Sequence, residues 1–128
     1  LQLFKQAQKM TGQIAIFCHD EQCEQSLAQL LSGKEAELVI LSNHIDLLLF
    51  LLEHDCLAAI YGLESPSEVG LKVVQILRRI RPKLPLIVIS DEATREVGGK
   101  ILQEGVNYYA LKPISPEQFH QVMTTVLH

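Results

Sequence analysis

The constraint that most narrows the fold of this chain is an alternation of two periods. Short apolar, β-branched runs occur at Ile14–Cys18, Glu37–Leu41, Cys56–Tyr61, Leu86–Ser90 and Tyr108–Leu111. Each is four to six residues, the length of a strand buried on both faces. Between them the apolar residues switch to helical spacing. Cys23, Leu27, Leu30 and Leu31 share one face, and Ile45, Leu48, Leu49 and Leu52 another. Val73, Ile76, Leu77 and Ile80 form a third stripe, and Phe119, Val122, Met123 and Val126 a fourth. Ala93–Glu104 is a weaker helical segment with Gly98 and Gly99 near its middle. Each glycine costs about 1 kcal/mol relative to alanine, so this helix is expected to be short, broken or mobile.

Strands alternating with helices imply a parallel sheet covered on both faces. Right-handed crossovers prune the topologies, and five strands fit the doubly wound, flavodoxin-like order 2-1-3-4-5. Ligands then bind beyond the carboxyl ends of the strands, at His19–Asp20, Gly62–Ser65, Ser90–Asp91 and Lys112–Pro113. Punctuation agrees. Pro66 opens the third helix, Pro82 and Pro85 close it, Gly33 and Gly105 sit at helix C-caps, and Ser115 caps a helix opened by Pro116.

At 128 residues, with 48% hydrophobic and 20% charged residues, the chain is one domain with a real core rather than a disordered segment. Its longest unbroken apolar run, Leu47–Leu52, is six residues, far from the ~18 of a membrane span. No basic stretch precedes an apolar one in the manner of a signal peptide. Cys18, Cys23 and Cys56 make an odd set with no C-x-x-C pair, which fits a reducing, cytoplasmic setting. A net charge of −4 argues against a nucleic-acid surface. The first residue is Leu rather than Met, which reads as a domain of a longer protein. Leu1, Phe4, Ala7 and Met10 suggest a leading or linker helix over residues 1–12.

Three stretches resemble the receiver domain of two-component response regulators. Ala15-Ile-Phe-Cys-His-Asp-Glu21 is similar to the first strand and its acidic corner. Pro85-Leu-Ile-Val-Ile-Ser90 is similar to the fourth strand with its terminal hydroxyl residue. Gly105-Val-Asn-Tyr-Tyr-Ala-Leu-Lys-Pro113 is similar to the fifth strand, with an aromatic residue three positions before Lys-Pro, and is the most specific of the three. The resemblance implies a receiver-like domain over residues 13–128. The family's phosphoacceptor aspartate ends the third strand, with Pro four and Gly eight residues later. Pro66 and Gly70 keep that spacing and put Gly62 at the acceptor position.

Phosphoryl transfer needs a carboxylate nucleophile, a metal held by several oxygens, and a cation and a hydroxyl for the phosphoryl oxygens. Lys112 supplies the cation and Ser90 the hydroxyl. Gly62 supplies nothing, and Asp20 beside His19 offers one carboxylate where the family offers three. Imidazole is a poor Mg²⁺ ligand, so no cofactor is expected. The resemblance therefore implies a pseudo-receiver, with Asp20, Ser90 and Lys112 as a remnant phosphoryl pocket and no enzymatic turnover. Its role in phosphorelay signalling would be protein–protein contact with an output domain. Lys112, stripped of two acids, is expected to pair with Asp20, or to reach Glu64 or solvent. The alternatives are a phosphorylatable receiver using Glu64 after a two-residue slip, and a sensor in which Lys112, Ser90 and nearby N–H groups bind a small phosphate-like anion.

Tyr109 matches the switch aromatic that turns inward in activated receivers. Without phosphorylation the expectation is a ring at the sheet edge with its hydroxyl in water. Ser90 reads equally as a strand-end cap for the next helix. His19 and Cys23 are too isolated for a metal site, and His44, His54, His120 and His128 read as surface residues. Arg78, Arg79, Arg81 and Lys83 read as complements to a helix dipole, worth a few tenths of a kcal/mol each. The second helix is apolar all round. With Ile45, Leu48, Leu49 and Leu52 taken to face the sheet, Leu47, Phe50 and Leu51 are left over. They suggest self-association, or cover by residues 1–11. No P-loop, G-x-G-x-x-G, H-E-x-x-H or nucleophile elbow is present.

Overall fold

The computed structural model describes residues 12–18, 21–31, 36–63, 68–90, 95–111 and 115–127. Strands and helices alternate as β1 (Gly12–Phe17), α1 (Glu21–Leu30), β2 (Ala36–Leu41), α2 (His44–Glu53), β3 (Ala58–Leu63), α3 (Glu68–Ile80), β4 (Leu86–Ser90), α4 (Arg95–Gln103), β5 (Tyr108–Leu111) and α5 (Pro116–Leu127). The strands form one parallel sheet in the order β2-β1-β3-β4-β5, as the alternation implied. Residues 1–11 lie outside the described residues, and so does the leading helix expected there.

Three strands begin elsewhere than the apolar runs suggested. β1 starts two residues early and β2 one, because Gly12 and Gln13 already pair with Ala36 and Glu37. Gly12 also lies against Leu57, where a Cβ would clash. β3 is shifted two residues along the chain. Leu57 N donates to Gln13 O (2.8 Å) and Ala59 N to Pro85 O (2.9 Å), so the ladder engages only from there. Cys56 is left half-buried before it.

Side-chain alternation splits the core in two. Ala15, Phe17, Ala59, Tyr61 and Val88 pack under α2, α3 and α4, against Leu47, Leu51, Val74, Leu77 and Ile101. Ile14, Ile16, Ile60, Ile87 and Ile89 pack on the other face, against Leu27, Phe119 and Met123 of α1 and α5. Helix ends follow the expected chemistry where they are described. Asn43 Oδ1 accepts from Asp46 N at 2.8 Å and Ser115 Oγ from Gln118 N at 3.1 Å. Gly105, at φ +88°, closes α4 in the left-handed region. Gly33 and Pro66 lie outside the described residues.

The expected orientation of α2 fails. Leu47 and Leu51 are buried against the sheet, and Ile45, Leu49 and Leu52 are 69%, 48% and 57% exposed. The surplus face therefore cannot be Leu47 and Leu51. Phe50 is half-buried and stacks on His54, ring centroids 4.5 Å apart. In a run of six apolar residues periodicity leaves the helix free to rotate. The phase is set instead by His44, which stacks on Phe17 and meets Tyr61. Likewise, Ile76 of the third stripe is 42% exposed. α4 is a single unbroken helix of nine residues, short but not interrupted at Gly98 and Gly99. Gly98 is buried, and a Cβ there would sit 3.6 Å from Tyr109 Oη, an ordinary contact distance, so the helix lies directly over that ring.

Candidate functional site

The carboxyl edge of the sheet is where a doubly wound fold binds and signals. Register fixes its levels. Gly62 lies within β3, opposite Ile89, and the next pair is Leu63 with Ser90. Ser90 in turn faces Leu111 across β5. Ser90 is fully buried, the one polar residue in that class among the described residues. Gly62 shares a sheet face with Ile60, and alternation puts Ser90 on the opposite face, that of Val88. Cys18 follows β1 and buries its thiol among the aliphatics under α1 and α5.

The residues ending the five strands, Phe17, Leu41, Leu63, Ser90 and Leu111, carry no carboxylate. Gly62, expected at the acceptor position from the Pro66 and Gly70 spacing, carries no side chain. The neighbouring Tyr61 cannot substitute. Its ring is buried, burial pushes its phenol well above the ordinary value, and its hydroxyl is held 2.8 Å from His44 Nε2. Asp20, Lys112, Glu64 and His19 lie outside the described residues, and with them the expected Lys112 ion pair. Among the described residues no three His, Cys, Asp or Glu side chains are grouped to hold a metal.

Two findings correct the sequence reading at this edge. His44 is not a free surface residue. It opens α2, stacks on Phe17 at 4.6 Å between centroids, and lies 5.7 Å from the Tyr61 ring. Burial lowers its pKa from 6.5 and so favours the neutral ring, whose Nδ1-protonated tautomer accepts at Nε2 from the Tyr61 hydroxyl. Nothing in the sequence pairs residues seventeen positions apart. The signal available was weaker: a histidine next to an Asn N-cap, one residue into a strongly apolar helix.

Tyr109 is the second correction. Its hydroxyl does not reach water: it is buried, has no hydrogen-bond partner among the described residues, and lies beside Gly98 of α4.

The basic cluster at the end of α3 is structural in half its members. Arg78 donates to the carbonyls of Arg81, Pro82, Leu84 and Gly105 and to Asn107 Oδ1. Arg81 donates to Leu51 O and His54 O and pairs with Asp55 at 3.0 Å. Only Arg79 and Lys83 stand exposed. No described helix is long and apolar enough to cross a membrane.

No protein-family model matches the chain, and no curated protein matches it. Solved structures do. A CheY-like response-regulator receiver domain from Methanospirillum hungatei superposes with a TM-score of 0.81 at 20% identity, covering 91% of this chain and 94% of that one. The chemotaxis protein CheY4 of Vibrio cholerae gives 0.77 at 16% identity, over 91% and 99%. A putative pilus assembly-related protein from Burkholderia pseudomallei gives 0.79 at 15% identity, over 94% and 91%. At these identities the shared property is the fold, that of a receiver domain.

Proposed function

We propose that the chain is a receiver-like module of a two-component regulatory protein in the cytoplasm, and that it acts by protein–protein contact without aspartyl phosphorylation. One observation carries this reading: Gly62, buried in β3 one register step from Ser90, offers no nucleophile where a phosphoryl group would be taken up. Ser90, with Asp20 and Lys112, would remain as a pocket for the oxygens of an anion. The inward Tyr109 is consistent with a switch aromatic already set by packing against Gly98 rather than by phosphorylation. The output domain or partner would then read a fixed surface.

Incubation with acetyl phosphate and Mg²⁺, followed by intact-mass measurement, tests this. The expected result is no phosphoryl adduct, and beryllofluoride should leave the Ser90 amide resonance unmoved. A stoichiometric adduct abolished by Glu64→Gln would establish the slipped-acceptor alternative instead. A thermal shift with phosphate-bearing small molecules, absent with chloride, would favour the anion sensor.

A further inference from the structure

α2 is apolar on two sides. Leu47 and Leu51 face the sheet, while Ile45, Leu49 and Leu52 fall within about 60° of one another on the far side of the helix. α3 decides which way that stripe looks. Gln75 reaches Glu104 just beyond α4 (3.2 Å), and Arg78 reaches Gly105 and Asn107, so this flank of α3 faces α4 and β5. Val69 and Ile76 lie on the other flank, about 100° or more further round, and are 58% and 42% exposed. α3 packs between α2 and α4, so that flank faces α2. α2 and α3 run in the same direction on the same face of the sheet. The same turn of the wheel therefore directs Leu52 and Ile45 towards α3, with Leu49 just outside them. The two helices frame a single exposed apolar groove, lined by Ile45, Leu49, Leu52, Val69 and Ile76.

We propose that this groove is the contact between two copies of the chain, related by a two-fold axis along the groove. Such an axis lays α2 of each copy on α3 of the other. The charges on the rims fit that operation. The outer edge of α2 carries Asp46 and Glu53, and the outer face of α3 carries Lys72 and Arg79, all four exposed. Each pair is seven residues apart, about 10.5 Å along its helix. The two-fold therefore brings an acidic pair over a basic pair of equal spacing, twice.

The area agrees. Five aliphatic side chains at this exposure present on the order of 500 Å², at the top of what a monomer leaves bare. A stable dimer buries about 800 Å² per partner, of which about 65% is apolar. The contact is independent of whether the domain takes up phosphate, and it differs from the Leu47 and Leu51 face, which the sheet already covers.

Sedimentation equilibrium of the full chain tests the assignment. A concentration-dependent dimer is expected at tens of micromolar, a range typical of modest apolar contacts. Leu49→Glu, a change at an exposed position, should weaken it about tenfold or more while leaving the circular dichroism spectrum unchanged. Arg79→Glu should weaken it by putting acid against acid, and adding Glu53→Arg should restore it. That rescue requires α2 of one copy to meet α3 of the other. A chain monomeric throughout the range would overturn the proposal and leave the groove to a different protein. So would a dimer indifferent to Leu49→Glu, or one that the double charge exchange fails to restore.

Discussion

Where the strands begin, two arginines collect six backbone carbonyls. Where they end, the rings of Phe17, His44 and Tyr61 pack together, and a bare glycine, Gly62, follows Tyr61 in β3. The first edge is held by charge-assisted bonds that tie the loops after α2, α3 and α4 to one another. Arg78 alone joins the turn before β4 to the turn before β5, and Asn107 Oδ1 accepts both from it and from Leu86 N at 2.9 Å. Among the described residues, the second edge shows the packed rings and the Tyr61–His44 hydrogen bond. The starting edge is tied by its own bonds, so residues at the carboxyl edge can change without dissolving the sheet.

That contrast is sharpest in the cost of removing one side chain from each edge. Arg78→Met keeps most of the aliphatic stem and deletes every donor. Four carbonyls and Asn107 lose their partner, and hydrogen bonds to charged groups contribute about 1.5–3 kcal/mol each where buried. Part of this cluster is exposed, so the expected loss is about 3 kcal/mol in urea unfolding. A loss below about 1 kcal/mol would mean that water replaces the guanidinium at no cost, and the starting edge would not be the firmer one. The Nε of Arg78 is buried with no partner among the described residues, and burial lowers the pKa of its guanidinium. The side chain is thus kept for what its other nitrogens do.

Tyr61→Phe is the matching change at the carboxyl edge. It removes the hydroxyl and keeps the ring against Phe17, 5.2 Å between centroids. His44 Nε2 loses its donor but is only half-buried and can turn to water. The expected loss is about 1 kcal/mol, less than half that of Arg78→Met in the same assay. An equal or larger loss would show the aromatic trio, not the arginines, to be the main tie.

The same division explains what could be read from the sequence. The strands Leu86–Ser90 and Tyr108–Leu111, the strand order, the Ser115 cap and the left-handed Gly105 all follow from local period or local turn chemistry. The rotation of α2 does not, since Leu47 to Leu52 satisfy every helical phase at once. His44 with Tyr61, and Arg78 with Gly105, meet only when the sheet has formed, and no short-range pattern announces either. The burial of the Tyr109 hydroxyl comes from α4 packing over β5, a tertiary contact that the local pattern around either residue does not announce.

The smallest expected effect is one of pH, and it belongs to the carboxyl edge alone. Burial beside Tyr61 disfavours the charged His44 ring and lowers its pKa below the 6.5 it has when unfolded. Between those two values the unfolded chain binds the extra proton, so folding loses stability as pH falls. The contribution is whole above 6.5 and is lost on acidification through the folded value. Tyr61 does not titrate in this range, because burial raises its phenol, so the histidine is the member of the pair that responds. His44→Phe preserves the stack on Phe17 and removes the proton site. Melting temperatures compared at about pH 7.5 and about pH 5.5 should fall less in this variant than in the parent chain. An identical fall in both would place the acid-sensitive group elsewhere and leave the Tyr61–His44 bond without a share in the pH dependence.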